Sequence, residues 1–541
     1  MEKHAMVLDC TLRDGAYLVD KEFGDETING VIQGLVDAGV DIIEIGFLQD
    51  DGFGKGKTVF LNSEDAKKHL LIQRKKIEFA VMADFSRYSI DNLDVCNGES
   101  FTIVRECFFK HERFEALKVC KKIKELGYKL FVQPVDILGY TDNELLEFIA
   151  MVNDIQPYAF SIVDTFGSMY MEDLERVFSL IDHNLSKDCV IGFHSHNNLQ
   201  MSGALSQDFL KISFGKRKVV VDTTVYGMGR GAGNTPTELV LEYMNKHMGY
   251  HYDIDNVLDI IDNYFGAILS KCSWGYTIPM FIAGSNSAHV NNVTYLTEKN
   301  SIQSKDIRFI LNSLDKGVRK RYDYDLLQEK YIQRTTTKYD DKDVIEELKT
   351  KLNNKDVVII CPGNTVKVYE KDILSYIKKT NALVIAVNFI PEGIPSDYLY
   401  FSNIKRFNYW KQNENFTTFP KIITSNITHD NTVLENRYLV SFEQLVKCGW
   451  NYMDNSVILL LRLLDKLCVN KIALAGLDGF TTNSLNDKNY CQNQMELLHT
   501  DVQQLNQDIM QMLVDYQETR HNNVEVSFLT PSRFSHLFTR R

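Results

Sequence analysis

His194 and His196 stand two residues apart in the run GFHSHNN. On an extended strand that spacing turns both side chains to one face. Two imidazoles on one face, beside an acidic residue at the rim of a fold, make half of an octahedral metal site. The remaining positions are open to water and substrate oxygens. The acid is available in a second run, LDCTLRDG, where Asp14 follows Arg13. A third run, GMGRGAGN, ends on Asn234, and its glycines favour a flexible loop.

These runs meet only if the elements carrying them are neighbours. From the N-terminus to about residue 240, β-rich runs at 6–10, 41–47, 77–83, 100–106, 128–135, 159–164, 190–196 and 218–226 alternate with helical patterns. Residues 26–38 are closed by Gly39 and 113–126 by Gly127, as helices close on glycine. Continuous apolar runs such as DIIEIGF and LFVQPV suit parallel strands buried on both sides. Eight such strands fit an α/β fold of the (β/α)8 TIM-barrel type better than a doubly wound sheet. Closure makes strands one, seven and eight adjacent, and a barrel's chemistry sits at the C-terminal ends of its strands. The expected organisation is a barrel at 1–250, a helical segment at 251–334, a polar linker at 335–343 (TTTKYDDKD) and a Rossmann-like α/β domain at 344–541. Strands at 356–361, 382–389, 398–402, 421–425 and 471–475, with a helix at 455–467, outline that last domain.

Composition narrows the function classes. At 541 residues the chain exceeds one ordinary domain, and 44% hydrophobic with 24% charged residues is normal for a soluble protein. A net charge of −12 weighs against a nucleic-acid surface. The basic cluster KGVRKR at 316–321 reads as a solvated helix face. The N-terminus shows no secretory pattern, and the longest apolar run, VILLLRLL, is too short to span a membrane. Ten cysteines lack metal-binding or disulfide spacing, and several fall inside strands as small buried hydrophobes. The expectation is a cytoplasmic, reduced protein, and a homo-oligomer by the commonest default.

Taken together, LDCTLRDG, GFHSHNN and GMGRGAGN resemble the metal-dependent aldolase, lyase and Claisen-condensing superfamily, over roughly residues 1–320. Hydroxymethylglutaryl-CoA lyases, 4-hydroxy-2-oxovalerate aldolases and isopropylmalate synthases are among its members. The resemblance implies a Mg²⁺ or Mn²⁺ cofactor held by Asp14, His194 and His196, with Asn234 near or on the metal. It implies Arg13 as the stabiliser of an enolate, with Glu44 and Asp164 lining the site. A metal chelating the keto and carboxylate oxygens of a 2-oxo acid favours that enolate, and a guanidinium adds a fixed positive charge. The implied substrates are a 2-oxo acid and an aldehyde or sugar-derived partner. Acyl-CoA condensation is the enzymatic alternative; a silent barrel serving as scaffold for a nucleotide-binding domain is the non-enzymatic one. The biotin-dependent branch needs a lysine near the end of strand six, where this chain has SIVDT.

The general base is open. Tyr17 stands where pyruvate aldolases carry a histidine, and Tyr276 and His289 are alternatives. The second domain resembles, loosely, the nucleotide-binding half of bacterial sialyltransferase-like proteins. That likeness implies a nucleotide or nucleotide sugar at Gly363, Asn364 and Asn388, in CPGNT, VNF and the nearby AGLDGF.

Overall fold

The computed structural model describes residues 4–70, 77–299, 302–335, 338–427, 436–450, 452, 455–481, 489–492, 501–522 and 524–538. Positions 336 and 337 of the expected linker lie outside them. The chain divides into two compact units, Met1–Val293 with Leu314–Tyr322, and Thr294–Ser313 with Asp323–Arg541. The helical segment expected at 251–334 is therefore shared between the two.

The first unit is an all-parallel barrel. Its strands are β1 (Ala5–Asp9), β2 (Ile42–Leu48), β3 (Val59–Phe60), β4 (Glu78–Asp84), β5 (Ile103–Phe108), β6 (Lys129–Pro134), β7 (Ala159–Asp164), β8 (Val190–Ser195) and β9 (Val219–Thr223). They pair in the order β1-β9-β8-β7-β6-β5-β4-β2, with β1 returning to β2 to close the ring and the two-residue β3 flanking β2. Helices wrap this ring with their apolar faces inward. In Asp25–Ala38 the buried positions Ile28, Val31, Ile32 and Leu35 recur at helical spacing, and Gly39 ends the helix at φ 79°, where its N–H bonds to Leu35 and Val36 carbonyls.

Strand alternation sorts the barrel interior into layers. The lower layer is apolar, built from Leu8, Ile42, Ala80, Ile103, Phe131, Ala159, Val190 and Val220. One inward position higher, the same strands present Glu44, Arg105, Gln133, Ser161, Gly192 and Asp222. That layer is ionic and fully buried. Gly192 makes it possible, since a Cβ there would lie 2.3 Å from Ser161 Oγ.

The second unit is an open sheet. Its strands β10 (Asp356–Ile360), β11 (Leu383–Val387), β12 (Tyr398–Phe401), β13 (Lys421–Thr424), β14 (Arg437–Val440), β15 (Lys471–Ala475) and β16 (Glu525–Phe528) are parallel, in the order β14-β13-β12-β11-β10-β15-β16. The winding reverses beside β10, which opens a crevice at the strand ends where doubly wound sheets bind ligands. The edge strands β14 and β16 were not anticipated. Each has four residues and few fully buried side chains, so neither shows the apolar run of the central strands.

Candidate active site

Asp14 ends a short helical turn, Thr11–Asp14, directly above β1, and His194 lies near the end of β8 with His196 just beyond it. The carboxylate Oδ2 of Asp14 is 3.2 Å from His194 Nε2 and 3.7 Å from His196 Nε2. One ligand atom from each of the three falls within 4.8 Å of the others. A carboxylate and two imidazoles form a donor set suited to Mg²⁺ or Mn²⁺ when water and substrate oxygens complete the shell. Asn234, whose backbone is bridged to His196, holds a buried side-chain oxygen with no hydrogen-bond partner among the described residues. These residues fit a divalent cation.

Beneath them runs a closed circuit of charge. Asp14 Oδ2 contacts Arg13 Nη1 at 3.4 Å, and Arg13 Nε donates to Glu44 Oε2 at 2.8 Å. Glu44 Oε2 also accepts from Arg105 Nη1 at 2.9 Å, and Arg105 Nη2 pairs with Asp222. Asp222 Oδ2 reaches His194 Nδ1 at 3.1 Å, and His194 Nε2 returns the circuit to Asp14. With its amide oriented so that the carbonyl faces Arg105, Gln133 accepts from Nε and Nη2 of that guanidinium at 2.9 and 2.8 Å. Asp222 thus orients His194 as a carboxylate orients a metal-bound imidazole.

The circuit sets protonation. Burial would raise the Asp14 carboxyl, but Arg13 and the two imidazoles outweigh it and hold it well below the ordinary range. Asp222 is likewise depressed, with Arg105 and His194 overcoming burial. Burial drives His196 down to about 4, so its lone pair is free at neutral pH. His194 is held above the usual imidazole value because the bonds to Asp14 and Asp222 exceed the cost of burial. Metal uptake at Nε2 therefore displaces a proton, and affinity should rise with pH through that titration.

A second donor group, Cys10, His194 and Asp222, shares His194. Cys10 is buried, its thiol faces the Thr223 carbonyl at 3.3 Å, and burial keeps that thiol protonated. Only the Asp14 group opens onto the cavity, a space of about 400 Å³ at the C-terminal mouth of the barrel.

The remaining candidates separate by place. Arg13, Tyr17 and His289 line this cavity. Tyr17 lies under the Arg230 guanidinium, 3.9 Å from its ring centroid, and burial raises its phenol, which stays protonated. His289 is pushed down to about 4 by burial, with Arg230 adding to the effect; its Nδ1 accepts the Asn291 N–H. Glu44 sits mid-strand in the ionic layer, below the cavity. Asp164 accepts from Ser168 N and Ser195 Oγ, pinning the loop after β7 to β8, and burial brings it to about 6. Tyr276 is 55% exposed and lies outside the cavity wall.

Several lining or supporting groups were not singled out from sequence: Arg105, Asp222, Arg230, Lys320 and Arg321. The first two were visible as charges inside apolar runs, Arg105 beside Glu106 in IVRECF and Asp222 alone in VVVDT. Lys320 and Arg321 belong to the cluster expected to be a solvated face; Arg321 is exposed, and both also line the cavity.

Glu106, next to Arg105, is 1% exposed and has an oxygen with no hydrogen-bond partner among the described residues. Burial, with Asp84 and Glu112 nearby, pushes its carboxyl well above the usual range. The folded chain then keeps a proton that the unfolded chain releases above pH ~4.3, so this residue costs up to ~1.4 kcal/mol of stability per pH unit above that point. Thermal melts of Glu106→Gln should diverge upward from wild type between pH 5 and 8. A pH-independent gap would contradict this account.

In the second unit the crevice, about 180 Å³, is lined by Gly363, Asn388 and Asp478 among others. The CPGNT turn does not offer free phosphate-binding amides. Asp478 takes the Thr365 N–H at 2.9 Å, the Thr365 hydroxyl and a bond from the Asn364 backbone. Asn388 is spent pinning Ser456 and Ser402, and Asn364 is not part of the crevice wall.

Fold and site together define a metal-dependent aldolase/lyase TIM barrel. Residues 5–262 of this unit match the family model described as HMGL-like. The unit is similar to an oxaloacetate decarboxylase of Mycobacterium tuberculosis, 24% identical over 262 residues, 48% of this chain and 75% of the relative. A 4-hydroxy-2-oxovalerate aldolase of Geobacillus genomosp. 3 is 27% identical over 266 residues, 47% of this chain and 74% of that one. The crystal structure of hydroxymethylglutaryl-CoA lyase from Pseudomonas aeruginosa overlays with a TM-score of 0.40 at 15% identity, covering 49% of this chain and 93% of that chain.

Proposed function

We propose that the barrel makes or breaks a carbon–carbon bond next to the carbonyl of a 2-oxo acid such as pyruvate, through its enolate, with an aldehyde as the other half. The observation that carries this reading is the Asp14–His194–His196 group opening, beside Arg13, into a walled cavity. Asp14, His194 and His196 would hold a Mg²⁺ or Mn²⁺, with Asn234 as an adjacent donor; the ion supplies Lewis acidity to the oxygens of the bound oxo acid. Arg13 is fixed at Nε by Glu44 and at Nη1 by Asp14, and presents a permanent positive charge where enolate charge develops. Tyr17, kept as a phenol, donates its proton toward an aldehyde or alkoxide oxygen. Phe47, Met82, Phe108 and Phe166 add apolar surface to the cavity wall.

Deuterium exchange into the methyl groups of pyruvate and of acetyl-CoA, followed by NMR, tests the reading. Metal-dependent exchange into pyruvate is expected, abolished by EDTA and reduced by about 10²–10³ in Arg13→Ala, the usual size of a lost oxyanion stabiliser. Exchange confined to acetyl-CoA would overturn it in favour of acyl condensation.

For the second unit we infer a nucleoside or nucleotide-linked sugar in the crevice beside β10, in a cytoplasmic route to surface glycans. Besides Asn388, whose side chain is engaged by Ser456 and Ser402, the crevice wall holds the carboxamides of Asn403, Asn455 and Asn489 and the rings of Phe480 and Tyr490. With the turn amides already taken, the base and sugar rather than the phosphates would carry recognition.

A further inference from the structure

In a chain of net charge −12, the barrel cavity is lined by five cationic side chains, Arg13, Arg87, Arg230, Lys320 and Arg321, against the carboxylates of Asp14 and Asp84. Three of the five are accounted for. Arg13 belongs to the ionic circuit, Arg87 contacts Asp84 at 3.6 Å, and Lys320 bonds Asp136 at 2.5 Å. Among the described residues, Arg230 and Arg321 have no carboxylate within ion-pair distance.

Neither guanidinium is placed by chance. Arg230 is held by its own loop, stacked on Tyr17 and 3.4 Å from His289 Nε2. Arg321 is carried to the wall by a dedicated clasp. Asn292, 1% exposed, donates to the carbonyls of Arg319 and Arg321 at 2.8 Å each, and His289 N–H donates to the Arg319 carbonyl. Tyr322, beside it, packs on the His289 ring at 4.9 Å between centroids. The clasp returns residues 314–322 to the barrel unit across an intervening stretch that belongs to the other unit.

We propose that Arg230 and Arg321 form an anion subsite, and that the aldehyde half of the substrate carries a phosphate or carboxylate at its far end. Guanidinium recognises both groups through paired N–H donors, and two guanidinium groups lining one cavity with no carboxylate partner among the described residues call for such a counterion. The metal group binds the oxo-acid end; the two arginines select the other end and set its distance. This assignment rests on the reaction proposed above for the identity of the aldehyde half.

Calorimetric titration of the Mg²⁺-loaded full chain with glyceraldehyde 3-phosphate, succinic semialdehyde and glyceraldehyde tests the subsite without requiring turnover. An anionic aldehyde should bind about tenfold or more tighter than glyceraldehyde, and the better of the two anions identifies the group. The preference should shrink with added salt, as expected of a partly exposed pair. Arg321→Gln, an exposed position that threatens no core, and Arg230→Gln should each erase it. Lys118→Gln, which removes an exposed charge from the helix Arg113–Glu125, should not. Equal affinity for all three aldehydes, or a preference that survives in Arg321→Gln, would overturn the proposal. Pyruvate exchange by the same preparation reports separately on the reaction. Lost exchange with a retained anion preference would sink the aldol reading alone, and the reverse pattern would sink only the subsite.

Discussion

Asp14→Asn is expected to lower divalent-metal affinity by more than the 10–100-fold typical of a partner one shell removed, and to extinguish metal-dependent proton exchange. The amide is nearly isosteric, so the barrel should still fold. What it loses is the anion that both imidazoles face at 3.2 and 3.7 Å. Asp222→Asn supplies the internal scale. It leaves the ligand atoms in place and removes the anion that faces both His194 Nδ1 and Arg105 Nη2, so a 10–100-fold loss of affinity is expected there, with a loss of stability from the stranded Arg105. Metal titrations of both variants, each checked by circular dichroism, give the comparison. Equal losses would mean that Asp14 acts as a circuit member and not as a ligand.

Arg105→Leu should have the largest effect on stability. Arg105 is wholly buried, and its guanidinium is the shared partner of Glu44 and Asp222. Leucine would leave two carboxylates inside the barrel without that cation. Breaking a buried pair in this way costs about 3–5 kcal/mol, which corresponds to a fall of roughly 6–20 °C in the melting temperature of a unit this size. The defect should ease in acid, where protonation removes the stranded charge. Denaturant melts at pH 5 and 8 check both statements, and a loss below about 1 kcal/mol would show that the circuit is not a stability element.

The metal group was readable because each member ends or follows a strand, where polar residues interrupt an apolar run and stand out. Its support was harder to see. Arg105 and Asp222 lie within strands, and nothing local distinguishes an inward charge from an outward one until closure assigns each strand its faces. Glu44 illustrates the same limit: the register shift between Glu44 and Phe47 lets β2 run on to Leu48, so this acid lies deep in the strand and not at its rim. That Lys320 and Arg321 also line the cavity was hidden for a different reason. Hydrophilic residues in a helical stretch face water by default, and the clasp from Asn292 joins positions 27 and 29 residues apart. The likeness placed a nucleotide at Gly363 and Asn364, yet the next donor of that turn, the Thr365 N–H, is taken by Asp478, more than a hundred residues away.

The seam of the barrel has a consequence for how the protein is made. β1 pairs with β9 in a register that joins Ala5 to Val219, and Asp9 accepts a bond from Thr237 across 228 residues. At 5–20 residues per second, a ribosome leaves β1 without its partner for on the order of 10–40 s. The circuit draws Asp14 from the start of the unit and Asp222 from its last strand, so no nascent fragment contains both until that wait ends. Metal capture therefore favours the completed ring: a ligand that prefers the closed form shifts the last folding step toward closure, and a chain released just before β9 keeps Asp14 and both histidines but lacks the Asp222 that orients His194.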